Sequence, residues 1–481
     1  MPHFISIFLK RYNMNSLNFG RLLNDMRFWV FLFFVLRLYG ITQPPLEIAH
    51  NWRQTTVTMV ARNFYETENN IFHPRIDIGG QLSGITGMEF PVFNYLIYLL
   101  SLLFGYDHWY GRLINLFVSS IGIIAFYDII RRLRNHKLAF YAGLILLSSL
   151  WFTYSRKIMP DTFSVALVVI GMQQAVIYLL KGTNHWRLAL FFLLTAFGLL
   201  SKLPAIAAMA LLPFLLLNKE YALRLRIRIA VLSVFALFPA CWWYFFYIPY
   251  LNETFHLVHF FMGKPMLVAG QEITSQWQAA FAQFYETALR YSGFVVFSGG
   301  LIIALRKDKR LALYALVSLL MFLILILKAG DNFVRHSYYM IPFIPVMAVL
   351  AAFTLVNIQS KKLAVGLLAL IMLEGVLNQQ HDFRLKEKDL PLLNLEAVLA
   401  DFSATDELVA INSGEYPTPM YFAHRKGWVS SNQMLSDTTY INELSVNGLK
   451  TIIILKRSFG TDLLLPYAEV YNDADFRIYK P

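Results

Sequence analysis

The sequence predicts an all-α multi-pass membrane protein with a small α/β domain at its C-terminus. Three observations predict it. Of 481 residues, 57% are hydrophobic and only 15% are charged, against about 25% charged in ordinary soluble domains, which excludes a soluble enzyme and, with so much apolar content, a disordered chain. The apolar residues gather into long runs of the kind that cross a bilayer as helices, because lipid cannot satisfy a bare backbone. The charge is also partitioned. From Asp382 onward there are 14 acidic and 10 basic residues, whereas the preceding part holds 32 basic and 16 acidic. A basic, apolar body (residues 1–378) is therefore expected to precede a mildly acidic, more polar unit (residues 379–481).

Taken in order, the first span is expected at 28–41. A long loop at 47–112 follows, then spans at 113–130, 138–154, 163–180, 188–200, 203–217 and 229–247. A second long loop, 248–290, leads to spans at 291–305, 311–327, 338–356 and 363–377, about eleven in all. No compact apolar stretch with a small-residue cleavage site precedes Arg27, so the first span is expected to be retained.

Orientation follows from Lys and Arg in the short loops. One alternating set carries Lys10, Arg11, Arg21 and Arg27, then Arg131, Arg132, Arg134 and Lys137, then Lys181 and Arg187. It continues with Lys219, Arg224, Arg226 and Arg228, then Arg306, Lys307, Lys309 and Arg310, and ends with Lys361 and Lys362. This set and the N-terminus are expected in the cytoplasm, so the net charge of +12 reflects orientation and needs no nucleic acid. The C-terminal residues then lie outside. Short β-like runs at 407–412, 451–456 and 476–479 alternate there with helix-like segments near 419–424 and 438–447, the pattern of a small α/β domain.

Chemistry is expected in the external loops, since antiparallel helices need only short connections. The first loop contains Glu47, His50-Asn51-Trp52-Arg53-Gln54, Pro74-Arg75-Ile76-Asp77 and Gly87-Met88-Glu89-Phe90-Pro91. Segments 59–65 and 93–103 read as helices lying along the membrane interface, and Trp52, Tyr65, Trp109 and Tyr110 suit an aromatic belt. Ser155-Arg156-Lys157-Ile158-Met159-Pro160-Asp161 is a short external turn in which Asp161 can cap the next helix. Lys202 and Asp331-Asn332-Phe333-Val334-Arg335-His336-Ser337-Tyr338-Tyr339 reach the same side. Cations at a lipid–water boundary can hold a phosphate, and carboxylates beside them can deprotonate a hydroxyl. Arg37, near the outer end of the first span, is expected to snorkel or, as the alternative, to meet a phosphate. The single cysteine, Cys241, excludes a disulfide framework. No cofactor is called for; a divalent cation could be held by His256 and His259, spaced i, i+3, if that stretch is helical.

These pieces, in this order, resemble the GT-C superfamily of integral-membrane glycosyltransferases, and within it the bacterial relatives of protein O-mannosyltransferases and of the lipid A aminoarabinose transferase. The resemblance rests on His50-Asn51-Trp52-Arg53-Gln54, Ala61-Arg62-Asn63-Phe64-Tyr65, Pro74-Arg75-Ile76-Asp77, Gly87-Met88-Glu89-Phe90-Pro91, Ser155-Arg156 with Pro160-Asp161, and His336-Ser337-Tyr338-Tyr339 ahead of Pro342. It implies a bacterial inner-membrane enzyme, with its C-terminal domain periplasmic, that takes a monosaccharide from a polyprenyl-phosphate donor. Transfer goes to a lipid-linked saccharide, lipid A or protein on the outer face, by inverting displacement. The resemblance puts a second acid at Asp161, a lysine at Lys202 and a basic residue at His336 or Arg335. Many relatives carry an Asp just outside the first span; here that stretch has none, so the base is left among Asp161, Glu89, His50 and Glu47, in that order. Trp52, Arg53, Gln54, Arg75, Asp77, Arg156, Lys202, Arg335, His336 and Tyr338 form the expected substrate-binding set. The competing readings are a transporter or flippase for a lipid-linked glycan, which requires polar groups along the spans, and a membrane scaffold.

Overall fold

Caps, prolines and glycines decide where the helices begin and stop. The computed structural model describes residues 19–182 and 184–481; Lys10 and Arg11 of the cytoplasmic set lie outside them. Asp25 accepts the Arg27 N–H and starts α1 (Met26–Arg37). His50, in the left-handed region at φ 60°, turns the chain into α2 (Asn51–Glu66). Then come α3 (Val92–Phe104), α4 (Trp109–Leu133) and α5 (His136–Ser148), the last capped by Asn135. Pro160 opens α6 (Pro160–Lys181), where its missing N–H costs nothing, and Gly182 at φ 73° closes it. There follow α7 (Trp186–Ser201), a 3-10 helix (Leu203–Leu211), α8 (Leu212–Leu217), α9 (Leu223–Phe255) and α10 (Met266–Ser275). The helical body ends with α11 (Arg290–Lys307), α12 (Lys309–Ala329), α13 (Ile344–Asn357) and α14 (Lys361–Leu377).

All eleven expected segments are helical. Among the described residues, α4, α6, α9 and α12 are long and apolar enough to cross a membrane, and the pair Trp277–Ala288 and Arg290–Lys307, bent by 101°, makes a fifth if counted as one. Boundaries differ where prolines act. Pro204 and the start of α8 at Leu212-Pro213 leave 203–217 as a 3-10 stretch followed by a short helix. Pro342 and Pro345 delay α13 to Ile344. Helix α9 runs through a π-turn at Trp243–Tyr247 to Phe255, so the second long loop starts later than expected.

One expectation about the first span is corrected. Arg37 does not snorkel: it is fully buried, donating to Phe33 O at 2.9 Å and to Ser155 Oγ. The helix expected at 59–65 is the second half of α2, and its first half is polar. Asn51, Arg53, Gln54, Thr55, Thr56 and Thr58 are buried, and Thr55, Thr56 and Thr58 fold their hydroxyls back onto the preceding turn. That self-satisfaction lets a polar sequence sit inside the protein.

Small residues set the approach of α6 and α7. A Cβ on Gly198 would stand 2.8 Å from Ser164 O, and one on Gly171 would stand 2.6 Å from Thr195 Oγ1. These glycines let the two helices close on each other, which brings the start of α6 beside the end of α7.

Residues 408–480 form a five-stranded sheet, β1 (Leu408–Ile411), β2 (Lys426–Val429), β3 (Leu449–Leu455), β4 (Ala468–Asn472) and β5 (Phe476–Lys480), in the order β2-β1-β3-β5-β4. Strands β2, β1 and β3 are parallel, and β5 and β4 add antiparallel. The three expected strands and both helix-like segments are present, as α15 (Thr418–Ala423) and α16 (Thr438–Val446). The edge strand β2 is covered by the first loop: Gly80 N–H donates to Gly427 O at 2.7 Å and Gly427 N–H to Asp77 O at 2.9 Å. Met59, Val60 and Phe64 of α2 share one apolar cluster with Val409, Met420 and Ile453.

The first loop is fixed to the helices by Glu47, which is fully buried. Its carboxylate lies 3.1 Å from Arg112 Nη2 and 3.3 Å from Arg156 Nη1, and accepts from Gln54 Nε2 at 2.6 Å. Gln54 Oε1 in turn accepts the Ile158 N–H at 3.0 Å. Arg156 also donates to Gly40 O at 2.9 Å and Arg112 to Ile41 O at 3.1 Å. Burial pushes the Glu47 carboxyl up, but Arg112, Lys157 and Arg156 outweigh it and hold the group below the usual carboxylate range. Removing one member of a buried ion cluster leaves the others uncompensated, at about 3–5 kcal/mol. Glu47→Ala should lower the unfolding temperature in detergent by far more than Glu68→Ala, a change at an exposed pair with Arg75; equal shifts for the two variants would contradict the clamp.

Candidate active site

The residues that meet at one end of the helical body come from five places in the chain. Asp161 lies in the first turn of α6, where the helix dipole favours an anion. It does not cap: the cap position is Met159, and the Asp161 carboxylate turns to Lys202, whose Nζ donates to Oδ1 at 2.5 Å. Lys202 ends α7 with extended backbone, φ −165°, which swings its side chain off the helix axis. Asp161 Oδ2 is buried with no partner.

Glu89 makes a second such pair. Arg53 Nη2 donates to its Oε1, while Oε2 is buried without a partner. The Arg53 guanidinium also lies over Phe260, 5.4 Å from the ring centre. The backbone around Glu89 is pinned on both sides: Trp243 Nε1 donates to Met88 O at 2.8 Å, and Phe90 N–H to Leu200 O at 3.1 Å. Burial works against the Glu89 charge, but Arg53 and then Lys202 more than offset it, so its carboxyl titrates below the usual range. Arg53 is held above its ordinary value because Glu89, Tyr338 and Asp161 outweigh its own burial.

Aromatic and imidazole rings line the same place. His50 lies 5.5 Å from His336, 5.2 Å from Tyr338 and 5.8 Å from Tyr154, measured between ring centres, and Trp52 lies 5.9 Å from His336. Tyr338 stacks on His336, and Lys202 Nζ sits 4.6 Å from the Tyr338 ring centre. The space bounded by Asp161, Lys202, Tyr338 and Tyr339 measures about 10 Å³, room for about one water.

The structure thus brings together Asp161, Glu89, His50, Trp52, Arg53, Lys202, His336 and Tyr338. It places the other expected residues elsewhere. Glu47, Gln54 and Arg156 form the buried clamp. Asp77 is held by Arg62 Nη2 at 3.0 Å and Asn63 Nδ2 at 2.7 Å beside the C-terminal sheet. Arg75 pairs with Glu68. Arg335 is exposed and pairs with Asp331 at 3.1 Å, next to the Lys264–Asp331 contact. His256 and His259 lie in a non-helical turn with His256 at φ 55°, so their spacing does not put them on one helix face. No group of three or more His, Cys, Asp or Glu side chains among the described residues could hold a metal ion. Sequence reasoning gave no role to Tyr154, Tyr339 or Trp243. A Pro239-interrupted aromatic run ahead of the second loop was the available signal for Trp243.

Residues 89–245 match the family model described as dolichyl-phosphate-mannose-protein mannosyltransferase, a stretch that contains Glu89, Asp161 and Lys202. No curated protein matches the sequence significantly. Among solved structures, ArnT from Cupriavidus metallidurans bound to undecaprenyl phosphate is 13% identical, with 94% of this chain and 97% of that chain covered and a TM-score of 0.60. The chain shares the fold of that ArnT. The same ArnT in the apo state gives 14% identity, the same coverage and a TM-score of 0.62. The Archaeoglobus fulgidus oligosaccharyltransferase in complex with Zn and sulfate gives 12%, 89% and 68% coverage, and a TM-score of 0.56.

His50 gives a pH prediction. Burial, then Lys157, His336 and Lys202, push its imidazole down to about 3. An unfolded chain takes up that proton near pH 6.5, so the stability that neutral His50 contributes is complete above 6.5 and is lost as pH falls towards 3. The unfolding temperature of His50→Gln should therefore fall less between pH 7 and 4.5 than that of the parent protein; parallel curves would contradict a half-buried, neutral His50.

Proposed function

We propose that the protein is an inverting membrane glycosyltransferase. It moves a monosaccharide from a polyprenyl-phosphate donor to an acceptor hydroxyl on a glycan, lipid or protein at the outer face of a bacterial inner membrane. The observation that carries this reading is the doubled pair: two buried carboxylates, each bound to a cation through one oxygen and leaving the other oxygen unpartnered. A buried unsatisfied oxygen costs stability, and both carboxylates act on the same cations, Arg53 and Lys202.

The chemistry follows from that arrangement. The acceptor oxygen attacks the anomeric carbon, the bond from that carbon to the phosphate oxygen breaks, and its electron pair leaves with the phosphate. Lys202 and Arg53 take up that charge, with neutral His50 and His336 as hydrogen-bond donors. The acceptor proton passes to Asp161 or Glu89. A carboxylate bound to an ammonium is a poor base. An arriving phosphate competes for Lys202 and Arg53, and with only about 10 Å³ of space between Asp161 and Lys202, it parts that pair to enter. Donor binding thereby frees the base it needs, and charge is exchanged rather than left unpaired.

In the same reading all eleven apolar segments lie in the bilayer, the shorter ones sheltered by their neighbours. The N-terminus is cytoplasmic and residues 379–481 lie outside.

Purified protein given a radiolabelled polyprenyl-phosphate sugar and cell-envelope acceptors should transfer the label. Asp161→Asn or Glu89→Gln should reduce transfer about 10²–10⁴-fold in whichever carboxylate takes the proton, with donor binding retained. Lys202→Gln should weaken donor binding as well. Relocation of the labelled lipid across liposomes without transfer would replace this reading with that of a transporter.

A further inference from the structure

A second cavity lies away from these carboxylates. It measures about 870 Å³, and its walls are apolar, built from α4, α6, the 3-10 helix with α8, and α13. Its mouth is at the opposite end of the helical body, where α4 ends, α6 ends and α12 begins. Arg132, Arg134, Lys219 and Arg310 ring that mouth, with Glu220 as the acidic residue there. Arg132 and Arg134 are bound to Asp128 at 2.7 Å and Asp308 at 2.6 Å. Lys219 and Arg310 are exposed and have no carboxylate partner among the described residues.

We infer that this cavity binds an anionic diacyl phospholipid of the leaflet opposite the carboxylate cluster, with one acyl chain inside and its phosphate on Lys219 and Arg310. The inference rests on the membrane reading of the helices, not on the sugar-transfer reading. Cation excess in these loops serves orientation, but it does not require that the cations gather around the opening of an apolar cavity. Basic pockets between membrane helices on the cytoplasmic side are suited to anionic lipid head groups. A sugar donor does not fit the mouth. Helix α6 has 22 residues from its Asp161 end to its Lys181 end, about 33 Å at 1.5 Å per residue, so a phosphate at the mouth is a bilayer's depth from Asp161 and Lys202. The cavity nevertheless reaches Pro342, which also borders the Asp161–Lys202 space. One wall is the 3-10 helix that follows directly on Lys202. A chain filling it would brace the backbone that carries the phosphate-binding lysine.

The test is native mass spectrometry of delipidated protein titrated with dioleoyl-phosphatidylglycerol or dioleoyl-phosphatidylcholine, which does not depend on sugar transfer. The parent protein should retain phosphatidylglycerol in preference. The preference should fall about fivefold for each cation removed in Lys219→Gln and Arg310→Gln, both exposed and safe to change. Ala208→Trp, which puts an indole into the cavity without altering charge, should lower retention of both lipids while leaving the unfolding temperature within a few degrees. Equal retention of the two lipids by the parent protein would overturn the inference. So would an unchanged preference in the double variant, an unchanged lipid in Ala208→Trp, or stronger retention of undecaprenyl phosphate at the same residues.

Discussion

A fully buried carboxylate must be matched where it sits, and Glu47 is matched by two arginines and an amide drawn from three separate parts of the chain. An ionised carboxylate without those partners costs several kcal/mol, so the start of the first loop, the start of α4 and the turn before α6 are held in one register. His50 is then set at its left-handed turn, and Arg53, one turn into α2, faces Glu89. The same register places Asp161 at the end of its turn, opposite Lys202. The close approach of α6 and α7 through Gly171 and Gly198 completes the placement.

The buried charges divide by how completely they are satisfied. Glu47 has partners on both oxygens and belongs to the framework. Asp161 and Glu89 each keep one oxygen unbonded inside the protein, an arrangement that costs stability and gains nothing for the fold. Lys157 follows the first pattern, fully buried and donating to Ala49 O at 2.9 Å. Asp77 does so too, bound by Arg62 and Asn63, while its backbone covers the edge of β2. Charge in the first loop therefore does two jobs, and neither the residue type nor its neighbours in sequence tells which.

That is also the limit of what the sequence discloses. Apolar length is a local property, so every expected segment is helical, and the turn-rich C-terminal unit displays its strands by alternation. Prolines shift boundaries, as at Pro204 and Pro342, and their effect on a particular backbone depends on neighbours. Strands β2 and β4 escaped because β2 is only Lys-Gly-Trp-Val and β4 is a largely exposed edge. Within the site, Asp161, Lys202, Glu89 and His336 were legible as charged residues at external turns. Their pairings were not, since Asp161 meets Lys202 across 41 residues and Arg53 meets Glu89 across 36. The first half of α2 was not legible as helix, because its threonines satisfy their own hydroxyls inside the protein and leave no apolar pattern in the sequence.

Lys202 and Arg53 are cations that exchange a carboxylate for a phosphate. The most direct measurement is an experimental structure of the protein with undecaprenyl phosphate bound. The phosphate should lie within hydrogen-bonding distance of Lys202 Nζ and the Arg53 guanidinium, with the Asp161–Lys202 contact lengthened and the Glu47 clamp unchanged. A phosphate seated on Arg335 and Lys264 instead, with both carboxylate pairs intact, would contradict that exchange.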